Sequence, residues 1–545
     1  MQNSVYQSSR YVRTLRTAGD RDFTSFGGRL ESLGDFPTSG GDGEPGRPGG
    51  PEERTMAFHS LYGNARIVDR DIVALLRDAA KGLSEQDLRA RLDDESLQDL
   101  IEARFLVAAG HDEAGEIDGL LADRQEVLAT GVFHSSIQLV LTNACNFSCQ
   151  GCFAYNFDGG VEERNTSGES VKPGPVLVEL RRSREDGAVP APRQDSGPTL
   201  ASGDWNHGSD STRNPSMHMS REVAEKTIKE AIALRKANGG GHLSVSFFGG
   251  EPTLARGTIL HVLRTFGDRH DGVSLSYDLT SNGSRIDDEL LAALARHRVD
   301  TTVSIDYLVP ETGEFRGGQQ QRTPWPVVRK AILDMKAAGV PVSITTVLSQ
   351  YTWDKWGTPL IDFVAEAGIP GLDVIVSFQA NEFFAKHSPH DVAQKLLAAV
   401  DYGRERGVQL SGYWYQTFQM IIDEAKWAEQ ADYKTCPAVG RQLSIEPNGS
   451  VFACKATARS LGTIDDWKGV FASPAYQDYG MRAYTNGPGC QGCELQGTCS
   501  GGSAGALEEE NGSIQVMSPG YCAYMREVVQ GLLERHHAQY LTALI

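Results

Sequence analysis

The sequence predicts an α/β protein: a partial (β/α)6 barrel, preceded by a small winged-helix-like domain and followed by a cysteine-rich C-terminal domain. Three observations carry this reading. From Ser136 onward, short apolar runs alternate with amphipathic helical stretches through six repeats. A loop bearing Cys145, Cys149 and Cys152 follows the first apolar run directly. All nine cysteines lie either in that loop or beyond residue 435.

Taken in order, residues 1–57 are rich in Gly, Pro, Ser and charge, as from Thr38 to Gly50, and are expected to be a disordered tail. Residues 58–130 change character. Ile72, Val73, Leu75 and Leu76 open a helical pattern, Ser84 is a candidate N-cap for the stretch ending at Leu92, and Leu97, Leu100, Ile101 and Phe105 form another apolar stripe. Short helices and a small hairpin here would make the winged-helix-like unit.

The barrel is expected over residues 131–410. Its strands are read at Ile137–Thr142, Leu243–Phe248, Val273–Leu279, Thr301–Ile305, Val342–Leu348 and Leu372–Phe378. Ser220 is placed to cap the first helix, whose apolar face carries Val223, Ala224, Ile228, Ala231 and Ile232. Right-handed crossovers would lay the six strands parallel in a partly open barrel. The stretch 157–217 is polar and too long for an ordinary connection, so it is read as a disordered insertion, the alternative being a mobile flap beside the active-site mouth. Residues 411–545 lose the strand–helix rhythm: a hairpin is expected around Asn448-Gly449, and an apolar helix from Met525 to Leu541 closes the chain against the barrel.

Bulk numbers narrow the function. A net charge of -19 argues against a nucleic-acid binder, which needs a basic face. No apolar run approaches the ~18 residues of a membrane helix. Met1 to Tyr6 lacks the pattern of a secretory signal. A soluble cytoplasmic protein, with no nucleic-acid or membrane partner, is expected. In that setting C-x2-C spacings favour metal over disulfide. A four-iron cubane takes four ligands, so Cys145, Cys149 and Cys152 would leave one iron open. Zinc, or structural thiols, is the alternative for these three.

The C-x3-C-x2-C loop after a strand, with Phe248-Gly-Gly-Glu-Pro252 at the next strand end, resembles the radical S-adenosylmethionine (SAM) superfamily. The resemblance implies a [4Fe–4S] cluster on Cys145, Cys149 and Cys152 whose open iron chelates SAM, and whose electron cleaves SAM to a 5′-deoxyadenosyl radical. It implies that Gly249, Gly250 and Glu251 receive the SAM amino group, that Ser281 and Asn282 reach the ribose, that Ser304 helps the methionine carboxylate or the ribose, and that Arg316 pairs that carboxylate. An exposed surface role is the alternative for Arg316. The family places an aromatic before the third cysteine; this chain has Gly151, so an adenine contact falls to Phe153 or is absent.

Cys436, Cys454, Cys490, Cys493, Cys499 and Cys522 resemble a SPASM domain, the auxiliary-cluster extension of peptide-modifying radical SAM enzymes. On that resemblance Cys490, Cys493, Cys499 and Cys522 ligate an outer cluster, and Cys436 with Cys454 belong to an inner one. Where the family has a further cysteine this chain has Ser503, so one or two auxiliary iron–sulfur clusters are implied. Alternatively Cys436, Cys454, Cys490 and Cys493 hold a single cluster, or zinc occupies this ribbon. The implied function is modification of a ribosomally made precursor peptide, by a thioether or carbon–carbon (cyclophane) cross-link. The winged-helix-like unit would bind the leader, and an external flavodoxin- or ferredoxin-type donor would supply electrons. Sulfatase-maturase-like oxidation of Ser or Cys, peptide epimerisation, and a zinc-stabilised non-catalytic binding protein are the competing readings.

Overall fold

The computed structural model describes residues 4–15, 54–130, 135–147, 149, 152, 163–164, 170–171, 218–316, 324–377, 380–422 and 436–543, the last with short gaps at 437, 439, 486–489, 491–492 and 500. Seven parallel strands form its central sheet: β1 (Ser136–Thr142), β2 (His242–Gly249), β3 (Val273–Ser281), β4 (Asp300–Ser304), β5 (Val342–Leu348), β6 (Gly371–Val376) and β7 (Gln409–Ser411). Their spatial order equals their chain order, so each crossover advances the sheet by one position in the same direction. Every pairing along this path is parallel.

The crossovers carry α1 (Arg221–Ala237), α2 (Arg256–Phe266), α3 (Asp288–Arg296), α4 (Trp325–Ala337) and α5 (Thr358–Glu366). Capping fixes where they begin. Ser220 Oγ accepts from the Val223 amide at 3.2 Å, and Asp287 accepts from the Leu290 amide at 2.9 Å. Each relieves one of the amides a helix start leaves without a partner. Apolar residues of β3, β5 and β6 such as Leu275, Ile344 and Val374 are buried, whereas their neighbours Asp278, Thr345 and Asp373 are half-buried. This period of two separates a helix-covered face from a polar one. Along the polar face Thr302 bonds Ser343 at 2.9 Å and Ser411 bonds Asp373 at 3.2 Å.

The sheet does not close. On the free edge of β1 runs Gln442–Ile445, also parallel, and its hairpin continues through Ser450–Phe452 and Ser460–Thr463. The C-terminal region is therefore built on the barrel sheet itself. The sequence shows six of the parallel strands; β7 is three residues long, too short to carry a periodic signal, and it straddles the 410/411 boundary read from the sequence. The last helix, Pro519–Ala543, packs on Pro389–Glu405, where Arg535 holds Asp401 at 2.7 Å.

One reading needs correction at the front of the chain. Residues 4–15 are not a tail. Val5–Ser8 is the middle strand between Leu83–Ser84 and Leu106–Ala108, and Val12–Thr14 pairs with Arg54–His59. The glycine- and proline-rich composition beyond them masked two short strands; residues 16–53 lie outside the described residues. The helices Arg70–Ala79, Glu85–Arg89 and Asp94–Glu102 enclose a separate core of Val73, Leu76, Leu88, Leu97, Leu100 and Phe105. The helix Glu113–Thr130 instead reaches to Pro474–Thr485, where buried Arg124 donates to the Gly480 carbonyl at 2.9 Å.

Of the 157–217 stretch, only the paired strands Glu163–Arg164 and Ser170–Val171 are described. Among the described residues no helix is long and apolar enough to cross a membrane. Replacing Ser220 by Ala should destabilise the first barrel unit by about 1 kcal/mol; urea unfolding followed by far-UV circular dichroism would show the midpoint falling without a change in slope.

Candidate active site

At the carboxyl end of β1 the chain turns into the cysteine loop, and β2 ends beneath it. The Gly250 amide donates to the Thr142 carbonyl at 2.8 Å and the Glu251 amide to the Ala144 carbonyl at 2.9 Å. A Cβ at Gly249 would land on the Thr142 carbonyl, and one at Gly250 on the Ala144 carbonyl. Gly249 also has φ of 155°, in a region side chains avoid. The two glycines thus admit the backbone of the cysteine loop.

Glu251 is 1% exposed and fully engaged. Its carboxylate accepts from the Thr253 amide at 3.1 Å, the Thr253 hydroxyl at 2.6 Å, the Ser281 hydroxyl at 2.8 Å and the Asn282 amide at 2.7 Å. It fastens the end of β2 to the end of β3. Ser281 Oγ is further occupied by the Gly283 amide at 3.0 Å. Asn282 donates to Asn146 in the cysteine loop at 3.0 Å and lies 3.9 Å from Cys145 Sγ. Both side chains are directed onto Glu251 and the loop.

Arg316 is not a surface residue; its side chain is 18% exposed. Its Nε donates to Cys149 Sγ at 3.0 Å, one terminal nitrogen donates to the Ser304 carbonyl at 2.8 Å, and Asp306 lies 3.6 Å away. Burial opposes its charge, but Cys149 and Asp306 outweigh burial and raise its pKa. Ser304, at the end of β4, meets this group through its main chain. Phe147 anchors the loop, buried at 6% and edge-on to Phe315 at 6.2 Å. Phe153 and Gly151 lie outside the described residues.

Burial, with the Glu251 carboxylate next, pushes the Cys145 thiol up to about 12. Burial pushes Cys149 up to about 11 even though Arg316 pulls the other way. Both also feel Cys152, seven and three residues further along the same loop. Thiols held this high are protonated near neutrality, and cation binding is what removes those protons. Among the described residues no three His, Cys, Asp or Glu side chains close on one point as ligands of a single ion would. Three soft donors on one loop, with a guanidinium at one sulfur, fit the iron–sulfur reading.

Thiols of the C-terminal region are raised as well. Burial pushes Cys522 up to about 12, reinforced by Cys499, Cys490 and Cys493 in turn. Burial likewise pushes Cys493 up to about 12, with Glu494 and Cys499 contributing. Cys436 and Cys454 appear together beside Tyr413. Ser503 Oγ accepts from the Ala506 amide at 3.4 Å as the N-cap of the helix Ala504–Asn511.

One buried network escapes motif reading. Lys455 Nζ donates to Asn143 Oδ1 at 2.7 Å, and Asn143 Nδ2 donates to Glu446 Oε2 at 3.2 Å, all three residues being 1% exposed or less. It joins the residue at the head of the cysteine loop to the C-terminal hairpin. The adjacency of Lys455 to Cys454 was the available signal; Asn143 and Glu446 gave none.

Residues 139–358 match the Radical SAM superfamily, and residues 436–494 match SPASM, described as an iron-sulfur cluster-binding domain. The radical SAM cyclopropyl synthase TigE of Paramaledivibacter caminithermalis is 26% identical over 485 residues, covering 88% of this chain and 92% of the relative. The structure of native anSMEcpe with bound AdoMet superposes at TM-score 0.51 with 18% identity, covering 75% of this chain and all 100% of that one. Its complex with AdoMet and the Cp18Cys peptide gives 0.51 at 17% identity, covering 75% and 99%. At such identities the likeness speaks for the fold. The chain is a radical SAM enzyme with a SPASM domain. Its cofactors are a [4Fe–4S] cluster, SAM and auxiliary iron–sulfur, and the zinc-stabilised, non-catalytic reading falls away.

The glycines should prove intolerant for the reason the geometry gives. Gly250→Ala is expected to displace the Ala144 carbonyl and with it the cysteine loop. Iron bound per chain after anaerobic reconstitution should then fall, with the far-UV spectrum retained.

Proposed function

We propose that this enzyme modifies a ribosomally made precursor peptide, forming a new carbon–carbon bond or a thioether within it. The observation that supports this best is the pairing of the Cys145–Cys152 loop with a half-buried, polar sheet face of the same sheet, in a chain aligned over 88% of its length with a cyclopropyl synthase. That relative's name favours carbon–carbon bond formation over the thioether. When bound, the cluster supplies the electron that cleaves SAM to a 5′-deoxyadenosyl radical, which takes hydrogen from a carbon no side-chain base can deprotonate.

The chain's own residues then position and shield. Cys145, Cys149 and Cys152 hold the cluster. Gly249, Gly250 and Glu251 form the floor for the methionine end, and Ser304 with Arg316 faces its carboxylate, a guanidinium being suited to that partner. Ser281 and Asn282 brace this floor, because their side chains are already bonded to Glu251 and the cysteine loop. Cys490, Cys493, Cys499 and Cys522 hold auxiliary iron–sulfur. The front domain receives the leader of the peptide, a flavodoxin- or ferredoxin-type donor delivers electrons, and the reaction takes place in the cytoplasm.

Anaerobic co-expression with a small peptide encoded beside this chain is expected to give a product lacking two hydrogens, with the new bond located by tandem mass spectrometry. An unchanged mass with deuterium taken up from heavy water would instead establish epimerisation, and conversion of Ser or Cys to an aldehyde would establish the maturase-like oxidation. Cys149→Ala should reduce 5′-deoxyadenosine formation to the background of a no-enzyme control; turnover persisting in that variant would refute the site.

A further inference from the structure

We infer that this enzyme carries one auxiliary cluster, held by Cys490, Cys493, Cys499 and Cys522, and that the inner auxiliary position is not a cluster site. The inference rests on the radical SAM/SPASM assignment and is independent of the peptide substrate. A four-iron cluster takes four ligands. The C-terminal region has six cysteines, and the family resemblance gives four of them, Cys490, Cys493, Cys499 and Cys522, to one cluster; the Cys493 amide donates to the Cys490 carbonyl at 3.0 Å, which folds the start of that run into a tight turn. Two thiols, Cys436 and Cys454, are left.

The structure shows what stands in place of further ligands. Ser503, where the family resemblance puts a cysteine, caps the helix Ala504–Asn511. A hydroxyl engaged there is a poor iron ligand twice over, by softness and by occupation. The Cys499–Ser503 loop is pinned by a buried cation. Arg482, 1% exposed, donates to the Gly501 carbonyl at 2.6 Å, the Gly502 carbonyl at 3.1 Å and the Ile514 carbonyl at 2.8 Å. Burial lowers its pKa, while Cys436, Cys499 and Cys490 pull it up.

Cys436 is 7% exposed in the main apolar core, and with Cys454 it supplies only two of the four thiolates that a four-iron cluster takes. Beside Cys454, Lys455 is turned onto Asn143. Tyr413, whose phenol burial raises well above its ordinary pKa, is the group these two thiols share.

Iron and acid-labile sulfide in the full chain, reconstituted anaerobically without SAM or peptide, decide the matter. Wild type is expected to hold about eight irons, two cubanes' worth. The double variant Cys436→Ala/Cys454→Ala should keep about eight, and Cys522→Ala should drop to about four. Wild type loading to about twelve, seen also as a third cluster by Mössbauer spectroscopy, would overturn the inference. So would loss of about four irons from the double variant with its circular dichroism intact. The wild-type count needs no variant to fold. Should the neighbouring peptide go unmodified while eight irons are found, the substrate reading fails and this one stands.

Discussion

The site depends on one buried carboxylate. Glu251 has no access to water, and an isolated charge in that position would be prohibitive. Four donors make it tolerable, and bonds to a charged acceptor each contribute about 1.5–3 kcal/mol. Two of those donors, the Ser281 hydroxyl and the Asn282 amide, come from the end of β3, so the ends of neighbouring strands cannot slide apart. One residue earlier, Gly250 lets β2 run close under the cysteine loop, and the Glu251 amide itself bonds Ala144. The loop is therefore positioned by main-chain bonds to the end of β2, and that end is positioned by the four hydrogen bonds to the Glu251 carboxylate.

A second constraint reaches across the chain. The strand Gln442–Ile445 adds to β1 in parallel, and Ser444 bonds Gln138 at 3.1 Å within the shared sheet. Just beyond, Asn143 stands between Glu446 and Lys455. The auxiliary region is thus held to the root of the cysteine loop by both a sheet ladder and a buried polar network. Such networks are costly when partly broken, since each orphaned member keeps its desolvation penalty.

Much of this was legible beforehand, and the reasons are local. Ser220 and Ser84 cap helices where their position ahead of an amphipathic run said they should, because capping needs only the residue and the next three amides. The six longer strands announced themselves by length and flanking helices. What stayed hidden was short or non-local. Val5–Ser8 sits in a stretch whose average composition belongs to its later residues, and β7 spans three residues. The engagement of Glu251 with Ser281 and Asn282 joins positions 30 apart, and that of Lys455 with Asn143 joins positions 312 apart. Ser503 was visible as a departure from the cysteine pattern, yet only the fold shows its oxygen facing the Ala506 amide.

The long helix Glu113–Thr130 leaves the front domain and lodges against Pro474–Thr485, with Leu128 filling the space that Gly440 and Gly480 leave open. The leading module is consequently no detachable appendage. A truncation that ends inside this helix, past Glu113, would strip out Arg124 and Leu128 and leave the Gly480 carbonyl and the space beside Gly440 uncovered. An engineer wishing to swap front ends between relatives would have to cut upstream of Glu113, so that this wedge stays with the catalytic body.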